Sequence, residues 1–419
     1  MTMNAPCSAF LRTLEERGYV HQITNREGLD AQAASGTLTA YIGFDMTAKS
    51  LHVGNLLPIM ILRRMQQNQV KPIVLLGGAT TRIGDPSDKD TQRPLLSDAD
   101  IAANKASIRK VFERYLRFGD GPHDAIMVDN SEWLEEIKYV EFLRQYGPHF
   151  TINRMLTFDS VKRRLDREQP LTFLEFNYML MQAVDFLELH KRHRCLLQAG
   201  GSDQWGNIVN GVELVRRIEG AEAFGVTTPL LTSASGQKMG KTASGAVWLN
   251  ADMLSPFEFW QYWRNMEDAS VEKCLKLFTD LPMAEISHLA ALSGSDINHA
   301  KIVLANEVTA LAHGVEAARD AESTSRAAFG RGEAAEGLPS IEKSREAMKE
   351  GLPITQALEA LGLVSTRSEA RRHIAANAVR VNDHLISDPN FTLQLSDFDA
   401  EGAARLSVGR KKIGVVRLS

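Results

Sequence analysis

The sequence predicts an α/β fold with a parallel sheet, followed by an all-α region and a small α+β module. Three observations support this prediction. Apolar strands alternate with helices in the first half, only helices are indicated over about 251–331, and a helix followed by a strand is indicated after Leu352. Alternating strands and helices are typical of a parallel sheet covered on both faces. A chain of 419 residues is long enough for two or three domains.

The first half of the chain contains the strands of the predicted sheet. Residues 38–44 and 72–76 are apolar strands on either side of a helix predicted near 52–68. A further apolar strand, 195–199, precedes another helix. Between these two halves we expect a mostly helical insert, roughly 98–185.

Three polar residues lie near or beyond the carboxyl ends of the predicted strands, where a ligand is expected. In open parallel sheets, ligands bind beyond the carboxyl ends of the strands. Tyr41 lies near the end of the first strand, and Asp45 and Asp85 come after the first and second strands. We therefore expect these side chains to gather at one edge of the sheet.

Two short segments are suited to holding phosphate groups. His52-Val-Gly-Asn55 lies where a strand gives way to a helix, and the N–H groups at a helix start attract anions. Lys238-Met-Gly-Lys-Thr242 lies in a Gly/Ser-rich stretch that could bring two ammonium groups to a ligand. Together they could hold a triphosphate from both sides, which indicates nucleotide activation chemistry.

Composition excludes several classes of protein. A net charge of −4 argues against a globally basic nucleic-acid binder but permits a local basic surface. Cys7, Cys195 and Cys274 are odd in number and far apart, so neither a disulfide framework nor a zinc site is indicated, and we expect a cytoplasmic setting. The N-terminus lacks a signal-peptide pattern, and no apolar run is long enough to span a membrane.

The second half of the chain divides into three predicted parts. Ser255-Pro-Phe-Glu258 is a capping box with proline at the first helical position, so a helix starts there. With 1–250 as the α/β domain, we predict an all-α domain at 251–331, a linker at 332–351 and the small module at 352–419. The linker is indicated by small residues and by charges of both signs.

The small module carries a cluster of basic residues. Thr366-Arg-Ser-Glu369 reads as a second capping box, and it places Arg367 and Arg371 one turn apart on a helix. From Leu352 onward nine Lys/Arg oppose seven Asp/Glu, a local excess of two positive charges. Taken alone, such a cluster is more typical of a solvated helix face than of an RNA site. The candidate basic residues are Arg367, Arg371, Arg372, Arg380, Lys411 and Lys412.

The motifs resemble those of class I aminoacyl-tRNA synthetases, and within that class the bacterial-type tyrosyl-tRNA synthetases. The matching segments are 41–56, 77–86, 178–185, 200–207 and 238–242. The last 68 residues resemble the alpha-L RNA-binding module. Each motif is weak alone, but five in one order are specific. The resemblance implies a Rossmann-like catalytic domain, a helical tRNA-binding domain and an RNA-binding module.

The resemblance implies ligation of tyrosine to tRNA(Tyr) at the cost of ATP. The carboxylate of tyrosine attacks the α-phosphate and expels pyrophosphate, and the tyrosyl group then passes to the terminal ribose of the tRNA. Because the nucleophile belongs to the substrate, the protein must align it and neutralise charge on the leaving phosphates. By resemblance, that task falls to Thr47, His52, Lys238, Lys241, Thr242, Lys89 and Arg93.

The resemblance also implies two binding sets. Tyr41 and Asp185 would hold the phenol of tyrosine, so that phenylalanine would leave a buried carboxylate unpaired. Asp85, Tyr178 and Gln182 would take the ammonium group, and Gln204 the carboxyl region. The implied ATP-binding residues are Gly43, Asp45, Gly54, Asn55, Gly201, Asp203, Leu231 and Lys241.

Two motif positions depart from the family pattern. Asn55 replaces the second histidine of the first motif, and its amide can still donate to ribose. The usual Lys-Met-Ser-Lys-Ser is Lys238-Met-Gly-Lys-Thr242 here, which keeps both charges and a terminal hydroxyl.

The resemblance further implies a homodimer, with an interface near 150–156. Mg²⁺ is expected to arrive with ATP, because no acidic cluster is dedicated to a metal and Mg²⁺ prefers phosphate and water oxygens. Binding of tRNA mainly through phosphates should weaken with salt.

Two other functions remain open at this point. A tryptophan-specific relative is disfavoured by Tyr41 with Asp185. An RNA-binding protein on a scaffold that no longer catalyses is disfavoured by His52, Lys238 and Lys241. Taken singly, each of these residues is more typical of capping, packing or a solvated surface, and it is their joint occurrence in one order that favours a ligase.

Overall fold

The computed structural model describes most of the chain. The described residues are 5–84, 96–233, 236, 239–242, 245–329, 338–382, 384–399, 402–409 and 412–418. Five predicted site residues lie outside them: Asp85, Lys89, Arg93, Lys238 and Lys411. The side chains of Lys241 and Thr242 also lie outside what is described.

The chain forms two compact units. The first comprises the described residues of Met1–Thr242, Ala246–Leu254 and Met266–Leu304, and the second those of Ala243–Gly245, Ser255–Asn265 and Ala305–Ser419. These limits do not coincide with the predicted domain boundaries at 250, 331 and 351, which stay predictions.

The first unit is built on a mainly parallel sheet. Its strands are β1 Gln22–Ile23, β2 Thr39–Phe44, β3 Lys71–Leu76, β4 Ile126–Asp129, β5 Cys195–Gly201 and β6 Phe224–Thr228. Among the described residues the sheet has six strands in the order β1-β6-β5-β2-β3-β4, and β1 alone pairs antiparallel, with β6. The predicted strands 38–44, 72–76 and 195–199 are confirmed as β2, β3 and β5.

Helices with buried apolar residues precede and follow the strands of this sheet in the sequence. The N-terminal helices are α1 Ala9–Glu16, α2 Arg26–Ala34 and α3 Val53–Gln67. Helix α3 confirms the prediction for 52–68, and nine of its residues are buried, which accounts for the long apolar run in the sequence. After β5 comes α10, Trp205–Glu219, which ends at Gly220 in the left-handed conformation.

The insert at 98–185 is not only helical, because β4 lies within it. Its helices are α4 Asp98–Tyr115, α5 Ser131–Leu134, α6 Tyr139–Gln145, α7 Ile152–Met155, α8 Asp159–Asp166 and α9 Phe173–His193. Strand β4 pairs in parallel with β3 at the edge of the sheet. Four residues are too few to show a strand period, so this strand was missed.

Helices follow the sheet in the sequence, as predicted. Two short strands, β7 Lys241–Thr242 and β8 Gly245–Ala246, precede them. The capping box of Ser255 and Glu258 is confirmed, with Pro256 at the first position of the helix. The helices are α11 Pro256–Arg264, α12 Val271–Phe278, α13 Met283–Ala290, α14 Ile297–His313 and α15 Val315–Phe329. None of the described helices is long and apolar enough to cross a membrane.

The C-terminal residues form a small α+β structure, as predicted. Its elements are β9 Ser340–Lys343, β10 Leu352–Pro353, α16 Ile354–Ala360, α17 Arg367–Ala375, β11 Val379–Val381, β12 His384–Ile386, β13 Thr392–Leu393, β14 Ala403–Val408 and β15 Lys412–Leu418. The described strands form a sheet in the order β12-β11-β14-β15-β9, and β10 pairs separately with β13. Both helices pack on one apolar cluster with these strands.

Two details of this module differ from expectation. The linker predicted at 332–351 contains β9, whose mixed polar residues suit an edge strand that pairs in parallel with β15. At the start of α17, Thr366 accepts from the backbone N–H of Glu369 as predicted. The carboxylate of Glu369, however, accepts from the N–H of Ser365 at 2.8 Å, one residue before the cap, so the reciprocal half of the predicted capping box is wrong.

Candidate active site

The carboxyl ends of β2, β3 and β5 open into a cleft of about 450 Å³. The start of α3 and one face of α9 complete its walls, and its size suits a small-molecule site. Most of the predicted site residues of the first unit line it. They are Tyr41, Gly43, Asp45, Thr47, His52, Asn55, Tyr178, Gln182, Asp185, Gly201 and Gln204.

A buried hydroxyl and a buried carboxylate line the same cleft. Tyr41 and Asp185 are 1% and 2% exposed. The Oη atom of Tyr41 has no hydrogen-bond partner among the described residues. Burial, and then the charge of Asp185, raise the pKa of Tyr41 well above its usual range. The phenol of Tyr41 is therefore neutral, and its hydroxyl lacks a partner that a ligand could supply.

Asp185 is held by two residues that the sequence did not single out. The indole Nε1–H of Trp133 donates to Oδ1 at 2.8 Å, and the amide of Asn130 donates to Oδ2 at 3.0 Å. Burial raises the pKa of Asp185 to about 7, the two hydrogen bonds lower it, and the charges of Asp45 and Asp129 add to the increase. Asn130 directly follows β4, so recognising that strand would have pointed to it.

A second set of hydrogen-bonded polar side chains connects the sheet to α9. The hydroxyl of Tyr178 donates to Oδ2 of Asp45 at 3.3 Å, and that of Thr80 donates to Oδ1 at 3.0 Å. Tyr178, Gln182 and Asp185 follow one another at helical spacings of four and three residues, which places them on one face of α9. That face is turned to the cleft, where the resemblance to the family implied these residues would lie.

The amides of Gln182 and Gln204 are fixed by a third amide. Nδ2 of Asn207 donates to Oε1 of Gln182 at 2.9 Å and to Oε1 of Gln204 at 3.1 Å. Nε2 of Gln204 also donates to Oδ2 of Asp203 at 3.2 Å. Asn207 belongs to the 200–207 motif, but it had no role assigned from the sequence. It orients two of the predicted substrate contacts.

The first motif uses its own side chains to cap α3. Nδ1 of His52 accepts from the N–H of Gly54 at 2.9 Å, and Oδ1 of Asn55 accepts from the N–H of His52 at 3.2 Å. An accepting Nδ1 means that the neutral imidazole carries its proton on Nε2. An accepting Oδ1 leaves the Nδ2 group of Asn55 as a donor in the cleft wall.

Gly43 and Gly54 differ in the space beside their backbone. A Cβ atom added to Gly43 would meet nothing within 4 Å, so open space adjoins the backbone there. At Gly54 the same space is filled by the imidazole of His52, at 2.6 Å. A nucleotide therefore has room to approach the backbone at Gly43, whereas Gly54 accommodates the capping histidine.

The second phosphate motif lies against the first. Gly240 has φ +92°, and a Cβ atom there would lie 2.5 Å from the nitrogen of Gly54. The N–H of Val53 donates to Val247 at 2.9 Å, and the N–H of Met239 donates to Leu231 at 3.0 Å. These contacts bring the backbone next to Lys241 and Thr242 to the start of α3.

Some of the basic residues of the small module are exposed, and others make contacts within the module. Arg371, Arg372 and Arg380 are exposed. Arg367 pairs with Glu359 at 2.9 Å, and Nζ of Lys412 donates to the carbonyl of Leu363 at 3.0 Å. Arg367 and Lys412 are therefore held by contacts within the module.

Comparison with known proteins matches both parts of the chain. The model for class I tRNA synthetases (W and Y) matches residues 33–330, and the S4 domain model matches residues 353–399. A C-terminally truncated mitochondrial tyrosyl-tRNA synthetase of Aspergillus nidulans has a TM-score of 0.67 and 33% identity, over 76% of this chain and 93% of that one.

Curated relatives match along almost the full length. A tyrosine–tRNA ligase of Xanthobacter autotrophicus is 60% identical over 412 residues, which is 98% of each chain. One of Caulobacter sp. strain K31 is 59% identical over 410 residues, again 98% of each. With the cleft at the carboxyl edge of a parallel sheet and a C-terminal S4 domain, the chain belongs to the tyrosine–tRNA ligase family of class I synthetases.

Proposed function

We propose that Tyr41 and Asp185 select tyrosine by its phenol hydroxyl in the activation step of this ligase. The observation that carries the proposal is the buried hydroxyl of Tyr41, which lacks a partner in a cleft that Asp185 also lines. A bound phenol would donate to the carboxylate and accept from Tyr41. Phenylalanine would leave the buried hydroxyl of Tyr41 without a partner and deny the carboxylate of Asp185 the hydrogen bond of the phenol, which costs more than a missing contact in water.

The leaving pyrophosphate is handled by donors at both motifs. His52, neutral with its proton on Nε2, is suited to donate to a phosphate oxygen without a change of protonation. Thr47 adds a hydroxyl in the cleft wall. Donors that act mainly on the transition state should affect turnover by roughly 10²–10³ each, and binding far less. The other members of this set are Lys89, Arg93, Lys238, Lys241 and Thr242.

The remaining binding roles follow from the resemblance to the family, and Tyr178, Gln182 and Gln204 line the cleft in which these roles are needed. Tyr178 and Gln182, with Asp85, would receive the ammonium group, and the carboxylate of Asp45 beside Tyr178 adds negative charge there. Gln204 would receive the reacting carboxyl group. ATP would lie along Gly43, Asp45, Gly54, Asn55, Gly201, Asp203, Leu231 and Lys241.

Magnesium would enter as part of the nucleotide substrate. Among the described residues, no group of three or more His, Cys, Asp or Glu side chains could hold a metal ion. Mg²⁺ commonly binds substrate phosphates and keeps several waters, so it needs no protein cage. The side chains of the site would then orient the nucleotide that carries it.

Pyrophosphate exchange with tyrosine, tryptophan and phenylalanine offered separately tests the selection. We expect exchange with tyrosine, and Asp185→Asn and Tyr41→Phe should each reduce discrimination against phenylalanine by about tenfold or more. Tyr115→Phe is the matched control, because Tyr115 also has a buried hydroxyl without a partner but lies outside the cleft. Unchanged discrimination in Asp185→Asn would reject the proposed role of Asp185. Exchange with tryptophan alone would indicate a tryptophan-specific enzyme.

The proposed homodimer is supported by exposed apolar side chains on the insert. Ile152 and Leu156, in the segment predicted as the interface, are exposed, as are Val140 and Phe173. Exposed apolar side chains concentrated on one insert are typical of an interface. Light scattering should give twice the chain mass, and Ile152→Asp with Phe173→Asp should give a monomer. A monomeric parent protein would overturn the proposal.

The remaining proposals concern tRNA and location. The exposed basic residues of the S4 domain, Arg371, Arg372 and Arg380, with Arg367, Lys411 and Lys412, would contact tRNA phosphates. A cytoplasmic location is supported by the three cysteines, all of which are free thiols.

A further inference from the structure

Trp133, which holds Asp185, has a cation over its ring. The guanidinium carbon of Arg192 lies 5.2 Å from the centroid of the indole. Trp133 itself is 2% exposed, so its ring face is shielded from water on the other sides. Within 6 Å of the centroid, an arginine is attracted to the indole face.

Helix α9 contacts this indole at two points. Asp185 and Arg192 are seven residues apart, close to two helical turns, so they lie along one face of α9. The carboxylate accepts from the N–H edge, and the guanidinium lies over the ring. Helix α5, which carries Trp133, has only four residues. A helix this short has little stability of its own, so contacts from α9 contribute to the position of the indole.

Arg192 is oriented by a neighbour on its own helix. Its Nε atom lies 3.2 Å from Oε2 of Glu188, one turn earlier. The side chain of Arg192 is 42% exposed, so this ion pair adds little to stability. Its consequence is geometric, because it restricts the guanidinium to the region above Trp133.

We propose that Arg192 is a positioning residue for the selection of tyrosine and acts on Asp185 through Trp133. This inference rests on the proposed role of Asp185. A cation over the ring draws electron density from the indole and makes its N–H a stronger donor. The stronger hydrogen bond holds the carboxylate in place and stabilises its ionised form.

The other groups around Asp185 act in a different way. Asp45 and Asp129 raise its pKa by repulsion, and Lys105 pairs with Asp129 at 2.6 Å. Tyr41 faces the cleft from β2 as a neutral phenol. Arg192 acts in the opposite direction to the two carboxylates, through the hydrogen bond of Trp133, which lowers this pKa.

Tyrosine-dependent pyrophosphate exchange tests the inference across pH. In Arg192→Leu, KM for tyrosine should rise about two- to fivefold with little change in kcat, as a cation–π contact of this exposure implies. The pH at which KM changes should move upward. Arg192→Lys keeps a cation and should recover most of the loss. Arg326→Leu is the control, since Arg326 makes the same pairing four residues after a glutamate, Glu322, on α15.

The indole N–H gives a direct readout. The proton resonance of Trp133, assigned by its loss in Trp133→Phe, should move upfield in Arg192→Leu because the hydrogen bond to Asp185 weakens. If Arg192→Leu lowers the unfolding midpoint, Arg192→Gln is used in its place. Glutamine is polar and of similar length but carries no charge.

The outcomes separate this inference from the proposal beneath it. Unchanged KM, pH profile and resonance in Arg192→Leu, with discrimination lost in Asp185→Asn, would overturn the role of Arg192 alone. Equal loss in Arg192→Leu and Arg192→Lys would also overturn it, because packing rather than charge would then be responsible. Unchanged discrimination in Asp185→Asn would overturn the assignment of Asp185 itself.

Discussion

At the scale of single residues, the cleft keeps a carboxylate where folding alone would not favour one. Asp185 is almost fully buried, and among the described residues it receives two hydrogen bonds, both from neutral donors. An ionised carboxylate in such a place is stabilised less than in water. The cost is understandable if the missing interaction is made by a substrate hydroxyl.

This cost predicts a dependence of stability on pH. The native protein binds the Asp185 proton more tightly than the unfolded chain, with pKa values of about 7 and 3.8. The contribution of Asp185 is therefore fully present below pH 3.8 and is lost as pH rises through 7. The loss amounts to roughly 4 kcal/mol.

Denaturant unfolding of the parent protein and of Asp185→Asn, measured between pH 4 and pH 8, checks this prediction. The variant keeps the shape but cannot ionise, so its relative stability should increase steadily over this range. A difference that does not vary with pH would show that Asp185 does not titrate near 7.

The residues that contact substrate were easier to predict than those that hold them. Tyr41, His52 and Asp185 stand in motifs whose order is itself informative. Asn130 and Asn207 act through neighbours 55 and 25 residues away. Such pairs arise only when strands and helices are assembled, and no local pattern in the sequence encodes them.

At the scale of elements, the start of α3 combines a structural and a binding role. Oδ1 of Asn55 accepts from the N–H of His52, whose own Nδ1 accepts from Gly54. The residue that departs from the family pattern thus completes the cap that fixes the tautomer of His52. The departure is compatible with function because an amide offers both an acceptor and a donor.

Two substitutions at Asn55 separate these roles. Asn55→Ala removes acceptor and donor, so it should lower the free energy of unfolding by about 1 kcal/mol and raise KM for ATP. Asn55→Asp keeps the acceptor but places a charge near the phosphates, so it should raise KM for ATP while leaving stability nearly unchanged. Chemical denaturation and exchange kinetics provide the two measurements. Equal loss of stability in both variants would contradict the capping role.

Predictability of the elements followed their length and burial. β2, β3 and β5 are apolar runs buried on both faces, and such runs are visible in a sequence. β4 and β9 are four-residue edge strands whose pairing is set by the neighbouring strand. Their partners lie far along the chain, so short segments of this kind read as insert or linker.

At the scale of the whole molecule, one ionic cluster unites distant parts of the first unit. Asp280 pairs with Arg63 at 2.5 Å and with Arg64 at 2.6 Å, so the segment between α12 and α13 is tied to α3. Arg17, after α1, donates to the carbonyl of Thr279 at 2.9 Å. The arrangement caps the carboxyl end of α12 with cations, where they are favourable.

Asp280 should stabilise the protein in a pH range opposite to that of Asp185. Although burial opposes ionisation, the bonds and charges of Arg63 and Arg64 hold the pKa of Asp280 at about 2, below its ordinary 3.8. Its contribution is present above pH 3.8 and is lost as pH falls through 2. Asp280→Asn should therefore cost about 2 kcal/mol at pH 7 and much less near pH 2. Urea unfolding at the two pH values measures this, and an equal cost at both would argue that packing dominates.

The S4 domain should affect the transfer of tyrosine to tRNA but not the activation of tyrosine. The proposed cleft lies in the first unit, so exchange of pyrophosphate should not respond to the basic residues of the module. Charging of tRNA should respond to these basic residues, because their contacts to phosphates release counterions and weaken as salt increases. Arg371 and Arg372 are exposed on α17, whereas Arg367 is already paired.

Arg371→Ala with Arg372→Ala should raise KM for tRNA and leave tyrosine exchange unchanged. Each lost phosphate contact should reduce the slope of log affinity against log salt by about 0.7–0.9. Arg109→Ala removes another exposed arginine, on α4, and serves as the control. An unaltered salt slope would mean that tRNA is bound elsewhere, whereas a loss of exchange would mean that the module acts on the activation step itself. Measuring both reactions in one preparation therefore assigns the basic residues to the step they serve.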